Sequence, residues 1–309
     1  MSLLTVRHLT VYRYSKPVGL GEHRMMFRPR ESYDLKLLKT KLEITPTPAS
    51  LRWLHDVFDN SVAVASFDGS TSELRFDSTV TLEHFETSLP DYPLEEYSKT
   101  YPFRYSDDEL PNLAPALAHH YPSEDARRWA LQFLDLSGTT GTMSLLRSMT
   151  LGIRNDFLYK RRSEKGVQSP TETLASRRGS CRDFAVLMME AVRSLGLAAR
   201  FVSGYIYVPH VDDSGKAVGV GAVGAGSTHA WMQAYLPGAG WIDFDPTNSI
   251  VGNRNLIRVA VAWDPQQVLP LWGTFVGSPS AFLGMDVTVS VTEKLPKNEL
   301  AAAAQPKFW

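Results

Sequence analysis

Apolar and polar residues alternate over residues 3 to 14 and 35 to 45, the period of strands with one buried face. The segments VAVASF (62 to 67) and STVTLEHF (78 to 85) continue the pattern between turns rich in Pro, Asp and Gly, so the first 90 residues are predicted to be β-rich. In SLPDYPLEEYSKTYPFRYSDDELPN the periodicity disappears, which reads as a connection and places a domain boundary near residue 90. Helical patterns follow. SEDARRWALQFLDL opens with Ser123 as N-cap, and TTGTMSLLRSMTLGIRNDFLYK carries apolar residues at helical spacing. Apolar residues at 184, 187, 188, 191, 192 and 195 then predict a helix with one buried face, ended by Gly196. The period changes again in ARFVSGYIYVP, HAWMQAYLPG and GWIDFDPT, which read as strands, with the glycine-rich DDSGKAVGVGAVGAGS between the first two. The predicted fold is α+β: a β-rich N-terminal domain over 1–90, a core over 91–295 with a central helix packed on an antiparallel sheet, and a C-terminal tail over 296–309.

Composition narrows the function classes. The 309 residues suffice for two modest domains. Lys plus Arg number 32 against 33 Asp plus Glu, so no bulk field draws the chain to nucleic acid or an anionic membrane, and neither is expected as a partner. Apolar runs fall short of the roughly 18 residues of a membrane span, and MSLLTVRHLTVYRYS alternates instead of forming a signal-peptide block. A soluble, cytoplasmic protein is the expectation. The single cysteine rules out an internal disulfide and any multi-Cys zinc site. Adjacent His119 and His120 point apart and are expected at a solvated helix end, not on a metal. GVGAVGAG superficially looks like a dinucleotide fingerprint, but no suitable βα unit precedes it and a strand follows, so a mobile loop beside a site fits better. No cofactor and no metal are expected.

The one cysteine carries the candidate chemistry. Ser180 is placed to N-cap the central helix and Asp183, three residues on, completes a near capping box, which makes Cys181 the first helical residue. There the partial positive charge of the helix terminus favours thiolate over thiol. Counting back three from Phe184 puts Cys181 on the face that meets the sheet. Position alone leaves two readings open, a nucleophile or a small buried hydrophobe. A thiolate nucleophile needs an imidazole and a group that orients it. His229 opens a strand with Trp231, Gln233 and Tyr235 on one face, and the following strand sets Trp241, Asp243 and Asp245 on one face. If the hairpin turn centres on Gly238, Gln233 faces Asp243 and Trp231 faces Asp245. Asp245 is then a diagonal neighbour of His229, at about 7–8 Å, and Asp243 is one pleat pair further away. Asp245 is the better orienter, and Asp243 is expected to bind locally or meet solvent.

TLASRRGSCRDFAVLMMEAVRSLGLAARFVSGY, THAWMQAYLPGAGWIDFDPTN and the upstream DFLYK resemble the transglutaminase-like superfamily of papain-related cysteine enzymes, in its bacterial form. YRYSKPVGLGEHRMMFRPRE is similar to the β-rich N-terminal region that accompanies that group. Two stretches depart from the family pattern. DVFDN (56 to 60) has Asp where relatives tend to have Gly, and VAVAWDPQQVLPLWGTFVG (259 to 277) lacks the usual polar, Tyr-bearing stretch. The resemblance implies a papain-like core with Cys181 as nucleophile, His229 as base and Asp245 as orienter. It implies acyl transfer on a peptide, protein or amide substrate through a thioester, with hydrolysis (protease or amidase) preferred. Transamidation to an amine and a non-catalytic peptide-binding scaffold are the alternatives. Tyr159, in the family-like FLYK stretch, is a weak candidate for a second oxyanion donor, with packing its simpler role.

Overall fold

The computed structural model describes residues 1–86, 92–135, 138–162, 165–208 and 226–293. The predicted boundary near residue 90, most of the glycine-rich loop and the tail 296–309 lie outside the described residues.

The N-terminal sheet is organised by one long strand, β1 (Ser2–Met25), which exceeds the predicted segment because it runs on through a shift in register between Arg13 and Val18. Pro17, with no N–H to give a ladder, falls inside that irregularity. β2 (Leu35–Thr45), β3 (Ser50–His55), β4 (Ser61–Ser66) and β5 (Ser70–His84) complete the order β2-β5-β1-β4-β3. Leu74, Phe76, Met25 and Phe27 form the sheet's own apolar cluster.

Helices α1 (Leu110–Leu117), α2 (Glu124–Leu131), α3 (Thr142–Asp156) and α4 (Pro170–Ser176) lead to the central α5 (Cys181–Ser194). Ser123 caps α2 as predicted, its hydroxyl accepting from the Ala126 N–H at 3.1 Å. α5 differs from its prediction in one respect: it is buried on every side, not on one face. The sheet covers one side and α2, α3 and α4 cover the others. Its polar residues tolerate this because they are paired. Glu190 and Arg193 lie 2.7 Å apart, and Arg193 also donates to the carbonyls of Ala116, Ala199 and Trp263. His119 and His120 lie exposed just past the end of α1, as expected, and Glu190 also accepts from His119 Nδ1 at 2.9 Å and from the His120 N–H.

The core sheet is β6 (Ala199–Ile206), β7 (His229–Leu236), β8 (Gly240–Asp245), β9 (Ile250–Val251) and β10 (Leu256–Ala262), in the order β9-β8-β7-β6-β10 with every pairing antiparallel. Two further strands, β11 (Leu271–Val276) and β12 (Phe282–Glu293), pair with β1. The sequence division assigns 271–293 to the core; hydrogen bonding assigns them to the N-terminal sheet. Alternation reveals a strand but not its partner, which is why this return was not visible in the pattern. The two sheets are locked together at Arg258 on β10, whose guanidinium lies 3.2 Å from Asp34 and 3.5 Å from Asp243.

Candidate active site

The N-terminus of α5 is built by a local motif. Asp183 accepts from both the backbone N–H and the hydroxyl of Ser180, each at 2.8 Å, which ties the chain entering the helix to its first turn. The other carboxylate oxygen accepts from Arg162 at 2.8 Å and from the Gln168 N–H at 2.7 Å. Cys181 is thereby fixed as the first helical residue, buried, with its backbone N–H among those that an α-helix leaves without an internal partner.

The hairpin β7–β8 has the register that a Gly238-centred turn requires: Tyr235 pairs with Trp241 and Gln233 with Asp243. His229 Nε2 donates to Asp245 Oδ2 at 2.8 Å, and both side chains are fully buried. Asp245 is held in turn by the Thr247 N–H at 2.9 Å and by Asn248 Nδ2 at 2.8 Å. The imidazole stacks on Trp231, with ring centroids 5.8 Å apart. Its other nitrogen, Nδ1, is buried with no hydrogen bond of normal geometry. Burial opposes the imidazolium, but the Asp245 charge and hydrogen bond, followed by the interaction with Cys181, outweigh it and push His229 up to about 10. Burial works to raise the Asp245 carboxyl; the His229 charge and the hydrogen bonds it accepts hold it below its ordinary value.

Asp243 takes a different part. It accepts from Trp231 Nε1 at 2.6 Å and Gln233 Nε2 at 2.8 Å and faces Arg258, so it binds locally and away from the histidine. Burial raises its carboxyl. It fixes the indole on which His229 rests.

Cys181 and His229 open on one cleft of about 280 Å³. Tyr159, set beside Gly179 by a two-residue parallel pairing, lines it too. One wall comes from the N-terminal sheet: His8 and Thr10 on β1, Met285 and Val287 on β12. Burial lowers His8 to about 4, so it stands neutral there, bonded to the Tyr205 hydroxyl at 2.9 Å and Thr10 Oγ1 at 3.1 Å. The structure therefore brings Cys181, His229 and Asp245 together and adds Trp231, Asn248 and His8, to which the sequence reading gave no role. Asn248 had a signal in its position three residues after Asp245. His8 had none, because its partner Tyr205 is 197 residues away. Among the described residues no group of three His, Cys, Asp or Glu side chains is arranged to hold a metal, and no helix is long and apolar enough to cross a membrane.

Residues 4–83 match the model of the bacterial transglutaminase-like N-terminal region, and residues 135–246 match that of the transglutaminase-like superfamily. An uncharacterized protein of Mycobacterium leprae is 27% identical over 308 residues, spanning 94% of this chain and 98% of that one. An uncharacterized protein of Mycobacterium tuberculosis H37Rv is 27% identical over 298 residues, 92% of this chain and 91% of its own. Among solved structures, a candidate cysteine protease from Cytophaga hutchinsonii shares the fold, with a TM-score of 0.67 at 18% identity over 96% of this chain and 92% of that one. The superfamily match spans the segment that carries Cys181, His229 and Asp245, and the β-rich match spans most of the sheet that walls their cleft: residues 135–246 are a transglutaminase-like superfamily core, and residues 4–83 are the bacterial N-terminal region that accompanies it.

Proposed function

We propose that the protein is an acyl-transfer enzyme that cleaves an amide or peptide bond through a thioester on Cys181. The observation that carries this reading is the division of labour on the His229 ring. Asp245 takes Nε2, which leaves Nδ1 as the one buried ring atom without a hydrogen bond, in the cleft that Cys181 enters from the helix terminus. The Cys181 thiolate attacks the carbonyl carbon, forming the C–S bond as the carbonyl electrons move to oxygen. The backbone N–H of Cys181, at the positive end of α5, faces the charge that develops there. Collapse breaks the C–N bond while His229 gives its proton to the departing amine. Water then attacks the thioester, its proton passes to His229, and the thiolate is released with a carboxylic acid. Asp245 stabilises the imidazolium and fixes its tautomer.

Hydrolysis is the preferred outcome because it requires no acceptor site. The transferase and scaffold readings are separated from it by incubating the protein with quenched peptides and primary amides, with and without an alkylamine. Release of the free acid, abolished by Cys181→Ala, is the expected result. A new amide formed only with the amine makes the protein a transamidase, and absence of turnover together with an unreactive thiol makes it a scaffold.

A further inference from the structure

The cleft has a charge that its catalytic reading does not use. Its described lining includes Arg161, Arg162 and Arg182 and no Asp or Glu, although the chain as a whole carries a formal charge of -1. Arg162 is accounted for by its bond to Asp183. Arg161 is exposed and Arg182 half-buried, and neither has a carboxylate partner among the described residues. Arg182 directly follows Cys181 on the first turn of α5, and Arg161 lies two residues beyond Tyr159 in the strand-like segment held beside Gly179. Two cations from separate segments thus line the cleft that holds the thiol, together with apolar or neutral side chains, Met285, Val287, Leu271 and an uncharged His8 among them.

We propose that the cleft selects acyl donors bearing a carboxylate beside the scissile amide, with Arg161 and Arg182 as its docking pair. This rests on the reading of Cys181 as nucleophile. Guanidinium groups suit a planar carboxylate better than a point cation would, and in a partly desolvated cleft a charge mismatch is penalised more than in water. The shared chemistry is the carboxylate, supplied either by an acidic side chain in a polypeptide or by the free terminus of a short amide.

The test compares alkylation of Cys181 by iodoacetate, an anion, with alkylation by neutral iodoacetamide, in the wild type, Arg161→Gln, Arg182→Gln and the double variant. At a separation of roughly 7 Å in a water-like dielectric, one charge changes the anion's rate by about threefold. The iodoacetate-to-iodoacetamide ratio is expected to fall about threefold in each single variant and about tenfold in the double variant at low salt. In 0.5 M salt the differences should shrink, because the Debye length is then only about 4–5 Å. Reaction with iodoacetamide no faster than in the urea-unfolded chain would defeat the nucleophile reading itself. Fast reaction with a ratio unchanged by the arginine variants would leave that reading standing and overturn the carboxylate proposal. Quenched peptides carrying Asp, Asn or Lys next to the scissile bond, set against short amides ending in a free carboxylate, then identify the source. A Lys preference in the wild type would overturn the proposal as well.

Discussion

At the scale of single residues, the proposed chemistry gives each nitrogen of the His229 ring one task. Nε2 is bonded to Asp245, and the Thr247 N–H and Asn248 hold that carboxylate in place, so rotation of the imidazole gives up its bond to a fixed acceptor. Asp245→Asn keeps the shape but removes the charge, and is expected to lower turnover by about 10²–10⁴-fold. The sign of its pH effect follows from the same geometry. His229 is raised from 6.5 to about 10, so its charged form, and the stability that form contributes, is fully present below about pH 6.5 and is lost as pH rises through about 10. Removing Asp245 removes the largest influence holding it up, and the alkaline limb of activity should move to lower pH. An alkaline limb that stays in place in Asp245→Asn would show that the carboxylate does not set the charge of the ring. Asp243→Asn, by contrast, should act on folding, lowering stability by about 1–3 kcal/mol in denaturant titrations, because an amide can still accept from Trp231 and Gln233 at Oδ1 but no longer offers Arg258 a charge at the second oxygen.

At the scale of elements, two local motifs set the site and both were legible in the sequence. The Ser180–Asp183 box fixed where α5 begins, and the turn at Gly238 fixed the β7–β8 register, because each depends on residues a few positions apart. Gly238 has φ +88°, and a Cβ there would lie 2.4 Å from the Pro93 carbonyl oxygen, so the turn demands glycine. Helices α1 and α4 went unrecognised for physical reasons: the first is eight residues with Pro115 in its interior, and the second is only two turns long. Gly204 on β6 is a second point of close approach. It pairs with His229, and a Cβ there would sit 2.2 Å from the Ile257 carbonyl oxygen and 2.7 Å from the Trp231 ring. Gly204→Ala should cost about 1–3 kcal/mol in urea unfolding, and it should also slow turnover by displacing the indole on which His229 stacks. Stability and activity both at wild-type level would show that the strand yields freely at this point.

At the scale of the whole molecule, the N-terminal sheet is part of the cleft. β12 returns from the core to pair with β1, and the two strands contribute Met285, Val287, His8 and Thr10 to the lining of the cleft that holds Cys181. None of this was legible in the sequence, since hydrophobic period identifies a strand without naming its neighbour. The sheets are joined through Arg258, set between Asp34 of the N-terminal region and Asp243 of the core. Arg258→Ala leaves two carboxylates largely buried without their cation, and should destabilise the protein by about 3–5 kcal/mol, read as an earlier midpoint in tryptophan-monitored urea unfolding. A loss below about 1 kcal/mol would show that the pairing does not hold the sheets together. The central claim, that Cys181 is an activated nucleophile paired with His229, is tested most directly by the rate of iodoacetamide alkylation across pH 5 to 11 in the wild type and in His229→Ala, against the urea-unfolded chain. The account predicts that near pH 6 the folded wild type reacts at least about tenfold faster than the unfolded chain, with a profile that changes again near pH 10, and that His229→Ala loses both features; a folded wild type that reacts no faster than the unfolded chain, with His229→Ala indistinguishable from it, would contradict it.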